Sequence, residues 1–176
     1  MLTHAPELTV LTHDGEKVPF ASLYSEAPVA LVFLRHLGCI FCAEHVEDLK
    51  TRPDLNIVFV SMGDVEATKK FREEHQAAQT FLCDPDEDLY KQFGLMNAKM
   101  SQAVNFQTVR RGFEAMRKGL RNQPPKQNPM RLGGCFVIDT SGEIVWRHIG
   151  AFAGDNCTCQ DVANALGRAG RSTQAV

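Results

Sequence analysis

Two cysteines three residues apart, Cys39 and Cys42, are the side chains of this sequence best placed to do chemistry. They follow a glycine and open a run that we predict to be helical, so both sulfurs fall in the first turn, within reach of a disulfide. The reactive form is the thiolate, which a helix N-terminus favours. The pair could therefore reduce a peroxide, exchange with another disulfide, bind a metal or pack in the core.

Basic side chains near this turn are candidates for catalytic support. Arg35 and His36 directly precede it, and Arg131 could approach from a hairpin later in the chain. A cation beside a thiol favours its ionised form and lowers its pKa. His45, three residues after Cys42, is expected to be an exposed residue of the helix.

The other four cysteines leave several interpretations open. Cys157 and Cys159 lie in a stretch rich in Gly, Asp and Asn, and either could resolve an oxidised Cys42. Together with the Cys39/Cys42 pair they could instead form a four-thiolate zinc or iron–sulfur site, although the preferred interpretation has no metal. Cys83 and Cys135 are expected to pack as small apolar residues, since free cysteine behaves as a hydrophobe.

The surrounding elements must bring these side chains together. The pattern alternates short apolar strands with amphipathic helices, which predicts an α/β fold with a partly parallel sheet. The predicted elements are a hairpin around Asp14-Gly15, strands at 29–34, 56–62 and 80–83, helices at 39–50, 65–75, 85–94 and 101–120, a hairpin turning at Ser141-Gly142, and a last helix at 160–166.

Composition places the chain among ordinary globular proteins. Its 176 residues suit one domain, assigned to 1–167, with a flexible tail at 168–176. A net charge of −2 gives no reason to expect nucleic acid or an anionic membrane as partner. We expect no membrane span and no signal peptide, hence a cytoplasmic protein with mostly free thiols.

Four segments resemble a known family. The sequences APELTVLTHDGEKVPFASL, LVFLRHLGCIFC, CDPDEDLYKQFGL and LGGCFVIDTSGEI are similar to the peroxiredoxin-like (AhpC/TSA-type) branch of the thioredoxin superfamily. Within it they resemble the subgroup of peroxiredoxin-like 2 proteins and prostamide/prostaglandin F synthase. The resemblance implies a thioredoxin-like fold, with a central mixed sheet flanked by helices and an N-terminal β-hairpin extension.

The resemblance also implies roles for single residues. The peroxide-reacting cysteine of the family falls on Cys42, and its threonine and proline companions fall on Cys39 and Arg35. The family's late arginine falls on Gly133, and Arg131 is the substitute candidate.

The function expected from these observations is reduction of hydroperoxides through a Cys39/Cys42 dithiol cycle. We expect no bound cofactor, and we expect an external thioredoxin-like thiol to restore the pair. Apolar neighbours (Leu37, Ile40, Phe41) favour a lipophilic hydroperoxide. The alternatives are a thiol–disulfide oxidoreductase, a non-enzymatic redox sensor and, third, a four-cysteine metal-binding module. Peroxiredoxin relatives often dimerise, so a homodimer is an alternative to the monomer.

Overall fold

The computed structural model describes residues 2–97 and 127–173. Seven strands and four α-helices make up this part of the chain, with one 3-10 turn at Phe20–Leu23. In chain order they are β1 (Thr9–Thr12), β2 (Lys17–Pro19), β3 (Val29–Phe33), α1 (Ile40–Leu49), β4 (Ile57–Ser61), α2 (Val65–Glu74), β5 (Thr80–Cys83), α3 (Asp88–Gln92), β6 (Gly134–Ile138), β7 (Ile144–Ile149) and α4 (Cys159–Thr173).

The strands form one mixed sheet in the order β2-β1-β5-β4-β3-β6-β7. Strands β3, β4 and β5 run parallel, and all other neighbours are antiparallel. The β1–β2 hairpin joins the sheet through β5, as the predicted N-terminal extension requires. The α/β class, the mixed sheet and its flanking helices are thus confirmed.

The central strands are buried on both faces, as their uninterrupted apolar runs predict. Side chains of β3 alternate between two apolar clusters, with Ala30 and Val32 on one face and Leu31 and Phe33 on the other. The first cluster lies under α1 and α4 and contains four of the six cysteines: Cys39, Cys42, Cys135 and Cys157. The thiol chemistry is therefore built into one side of the sheet.

Two helices differ from their predicted bounds. The prediction of a last helix ending at Leu166 is wrong, because α4 continues to Thr173. Ala165 and Ala169 pack on the sheet with 1% exposure each, and this burial carries the helix past Gly167.

Helix α3 begins later than the predicted start at Pro85. The Asp84 carboxylate accepts hydrogen bonds from the N–H groups of Asp88, Leu89 and Tyr90, which sets the first turn at Asp88. The preceding residue, Glu87, has a left-handed backbone with φ of 58°.

The predicted helix at 101–120 lies outside the described residues. Among the helices in the described ranges, none is long and apolar enough to cross a membrane.

Candidate functional site

The Cys39/Cys42 pair lies at the carboxyl end of β3, where the chain turns into α1. Cys39 is the N-cap residue with an extended backbone, and Cys42 lies in the first helical turn. The Cys39 N–H donates to the His36 carbonyl at 2.9 Å, which closes the turn between strand and helix. Both thiols are free, and both residues are at most 4% exposed.

Arg35 contacts both sulfurs. Its backbone N–H donates to Cys42 Sγ at 3.1 Å, and its Nη1 lies 3.4 Å from Cys39 Sγ. The rest of the guanidinium is occupied by the chain before β6, with Nε donating to the Arg131 carbonyl at 3.1 Å and Nη2 to the Pro129 carbonyl at 2.7 Å. Two carbonyls therefore hold this cation against the thiol.

The two thiols differ in charge. The Cys42 thiol donates a hydrogen bond to the Cys39 sulfur, and this bond, together with the Arg35 charge, lowers the pKa of Cys39 to about 6. Burial and the neighbouring Cys39 raise the pKa of Cys42 well above its ordinary value. These opposite shifts favour the thiolate at Cys39 and leave the proton on Cys42. The family resemblance assigns the peroxide-reacting role to Cys42, whereas the electrostatics place the nucleophilic charge on Cys39.

His36 lies beside Arg35 but carries no charge at neutral pH. Burial, reinforced by the Arg35 charge, lowers its pKa to about 4. Its Nδ1 is buried and has no hydrogen-bond partner within the described ranges. The contact that His36 makes to the pair is through its carbonyl, which accepts from Cys39.

Arg131 directs its side chain away from the thiols. The guanidinium forms an ion pair with Glu87 and donates to the Leu95 carbonyl at 2.7 Å. Gly133, the position of the family's late arginine, has no space for a side chain, since a Cβ there would stand 2.7 Å from the Phe33 carbonyl oxygen. The guanidinium at the thiols thus comes from Arg35.

The apolar surroundings of the pair are mostly core. Ile40 and Phe41 are buried, and Leu37 is the partly exposed member of the three. The Leu37 N–H donates to Gln127 Oε1 at 3.3 Å, so the chain before β6 also covers this turn.

Tyr90 is a supporting residue that the sequence does not single out. Its buried hydroxyl lies 2.5 Å from the Leu34 carbonyl and 2.8 Å from the Val60 carbonyl, at the ends of the parallel strands β3 and β4. Since Leu34 directly precedes Arg35, this tyrosine fixes the strand end from which the site begins. In the sequence, the only indication that Tyr90 is buried is its position on the apolar face of α3.

Cys157 and Cys159 occupy separate places. Cys157 Sγ lies 3.6 Å from His45 Nε2 and is hydrogen-bonded to Cys135, whereas Cys159 opens α4 beside Arg52. The prediction that His45 is exposed is wrong, because it is buried against Cys157. No group of three or more His, Cys, Asp or Glu side chains in residues 2–97 and 127–173 is arranged to hold a metal ion. A four-cysteine metal site therefore finds no support there.

Comparison with known proteins gives one family match. The family model described as AhpC/TSA antioxidant enzyme matches residues 43–151, beginning one residue after Cys42. Human peroxiredoxin-like 2C is 29% identical over 96 residues, which are 51% of this chain and 42% of that protein. This chain thus aligns with less than half of that relative. Prostamide/prostaglandin F synthase of Danio rerio is 28% identical over 89% of this chain and 82% of its own length.

Solved structures share the fold. Peroxidoxin BcpB from Mycobacterium tuberculosis superposes with a TM-score of 0.65 at 20% identity, covering 96% of this chain and 97% of its own. A peroxiredoxin-like protein from Aquifex aeolicus gives a TM-score of 0.67 at 14% identity, over 94% and 85% of the two chains.

Proposed function

The chain belongs to the AhpC/TSA antioxidant enzyme family, and from that premise we propose that it reduces hydroperoxides through a Cys39/Cys42 dithiol cycle. The observation that carries the proposal is the contact between the Cys39 sulfur and the Arg35 guanidinium at 3.4 Å. A thiolate and a fixed cation side by side are what attack on an O–O bond needs, because negative charge passes from sulfur to the leaving oxygen.

In the first step the Cys39 thiolate attacks the distal oxygen of the hydroperoxide. The O–O bond breaks, Cys39 becomes a sulfenic acid, and the leaving oxygen departs as an alcohol or water after taking up a proton. Arg35 stays beside the reacting sulfur, because two carbonyls hold it there. In the second step the Cys42 thiol condenses with the sulfenic acid, forming the disulfide and releasing water.

We further propose that a thioredoxin-type thiol reductant restores the dithiol in a reducing cytoplasm. The partly exposed Leu37 and the likeness to prostamide/prostaglandin F synthases support a lipophilic hydroperoxide as substrate. We also propose a homodimer, since peroxiredoxin relatives often dimerise.

A second candidate function uses the same pair. In thiol–disulfide exchange the low-pKa Cys39 attacks a partner's disulfide, and Cys42 resolves the mixed disulfide. The different charges of the two thiols favour this division of roles too. The two functions differ in the oxidant that they require.

The test is a rapid-quench experiment on the reduced protein with cumene hydroperoxide and dimedone, followed by peptide mapping. In C42S the sulfenic acid formed at Cys39 cannot be resolved, so we expect dimedone-labelled Cys39. In C39S we expect oxidation at least about 100-fold slower, because the attacking thiolate is gone. The matched control is C83S, which removes a buried thiol outside the site and should react like the wild type.

Two results would contradict the proposal. Labelled Cys42 in C39S at the wild-type rate would move the attacking role to Cys42. A pair that stays reduced with peroxide but is oxidised by a model disulfide would establish exchange instead. Turnover with thioredoxin, thioredoxin reductase and NADPH separates an enzyme from a sensor, which would react once.

A further inference from the structure

A second thiol cluster lies apart from Arg35, on the same side of the sheet. Cys157 Sγ is 3.6 Å from His45 Nε2, and the Cys135 thiol, in the same apolar cluster, lies close enough to shift its pKa. The cluster therefore combines a potential nucleophile, a second thiol and an imidazole.

Three separate elements assemble this cluster. Cys135 lies inside β6, paired with Val32 of β3 and His148 of β7, and is fully buried. His45 projects from α1, and Cys157 comes from the chain between β7 and α4. The Asn156 side chain donates to the Phe41 carbonyl at 3.0 Å, which fixes that chain to α1. Backbone pairing and this side-chain bond position all three groups.

The cluster borders a cavity of about 330 Å³. His45 and Cys157 line it together with Cys159, and its wall includes the acids Glu44 and Asp48. A cavity of this size falls at the lower end of small-molecule sites. Its described lining contains no lysine or arginine, unlike the surroundings of Cys39.

The pKa values of Cys157 and Cys135 shift in opposite directions, as those of Cys39 and Cys42 do. The hydrogen bond from Cys135 lowers the pKa of Cys157 to about 5, with further help from His45 and His148. The same bond and burial raise the pKa of Cys135 well above its ordinary value. These opposite shifts favour the thiolate at Cys157 and leave the proton on Cys135.

We propose that Cys157, Cys135 and His45 form a second dithiol centre, which exchanges with a low-molecular-weight disulfide bound in the adjacent cavity. The Cys157 thiolate attacks one sulfur, the S–S bond of the small molecule breaks, and a mixed disulfide forms as the first thiolate leaves. Cys135 then attacks the Cys157 sulfur and expels the second half, which leaves as a thiol with the Cys135 proton. The small disulfide gains two electrons, and the protein gains a Cys135–Cys157 disulfide.

The surroundings favour a disulfide over a hydroperoxide as oxidant. Cleavage of a peroxide puts charge on an oxygen leaving group, and Arg52, which stands beside Cys159 at this cavity, is already paired with Asp54. A thiolate leaving group is stable with less help, and its pKa controls the exchange rate. The cavity is also far larger than hydrogen peroxide requires.

The test uses the full chain carrying C39S and C42S, so that the first pair cannot react. The reduced protein is treated with hydroxyethyl disulfide at pH 6 and mapped by mass spectrometry. We expect a Cys135–Cys157 disulfide, with Cys157 reacting about tenfold faster than Cys159, since the lowered pKa of Cys157 supplies the attacking thiolate at that pH. Cys159 is the matched control, because it lines the same cavity and is more exposed.

Added substitutions separate the steps. With C135S the mixed disulfide on Cys157 should accumulate, because the resolving thiol is missing. With H45Q the reaction should slow several-fold at pH 6 while circular dichroism stays that of the parent. Equal rates at Cys157 and Cys159, an adduct on Cys159 alone, or oxidation by cumene hydroperoxide but not by the disulfide would each overturn the proposal. None of these results bears on Cys39 and Cys42, which are absent from the tested chain.

Discussion

At the residue scale, Arg35 has the largest influence on the candidate site. It is the one described side chain that joins the Cys39 sulfur to the carbonyls before β6. The resemblance places Arg35 at a family proline and leaves the family's arginine position to Gly133. The sequence thus shows both departures, but only the fold shows that the first offsets the second.

Substituting Arg35 tests this influence. In the wild type the alkylation rate of Cys39 by iodoacetamide should rise with pH and reach half its maximum near pH 6, where the thiolate forms. In R35Q the pKa of Cys39 should rise, and the midpoint should move up by about one pH unit or more. R35K keeps the charge without the planar fork and should fall between them. An unchanged midpoint in R35Q would show that Arg35 does not stabilise the thiolate.

At the scale of elements, the C-terminal half of α4 depends on tertiary packing. Ala169 is 1% exposed against the sheet, so A169D should bury an unpaired charge and lower the free energy of unfolding by more than about 2 kcal/mol. The control is N164D on the exposed face of the same helix, with an expected change within about 0.5 kcal/mol. Urea unfolding followed by circular dichroism measures both. Equal effects would mean that this end of the helix does not pack.

The elements also show what the sequence can and cannot predict. Apolar runs predict β3 and β4, and helical spacing predicts α1 and α2, because these patterns are local. The predicted end of the last helix at Leu166 is too early, because the burial of Ala169 against the sheet is a tertiary contact that local spacing does not show. The contact between His45 and Cys157 joins residues 112 positions apart, and nothing in either local sequence encodes it.

At the scale of the whole molecule, His36 makes stability depend on pH. Its pKa is about 4 in the folded protein and about 6.5 when unfolded, so the unfolded chain binds the proton first as the pH falls. The free energy of unfolding should therefore decrease between pH 6.5 and pH 4, by about 1–3 kcal/mol after allowance for solvent screening. Cys39 also contributes to the free energy of unfolding, because its pKa is about 6 in the folded protein and about 8.5 when unfolded. That contribution is lost as the pH falls from about 8.5 to 6, mostly above the range in which His36 acts.

Urea unfolding of wild type and H36Q at pH 7, 5.5 and 4.5 isolates this contribution. The wild type should lose more stability than H36Q across that range, while both respond alike above pH 7. Parallel curves for the two proteins would remove His36 as the cause.

The clamp that Pro129 and Arg131 place on Arg35 has a consequence for redox equilibrium. A disulfide carries no charge, so forming one would leave the clamped guanidinium facing neutral sulfur. The anion is thus a stabilising feature of the reduced state alone. With a Cys39 pKa of about 6, ionisation at pH 7 favours the dithiol by about 1 kcal/mol, which is on the order of 20 mV in reduction potential. The proposed Cys39–Cys42 couple is correspondingly more oxidising, and a weaker reductant suffices to reset it.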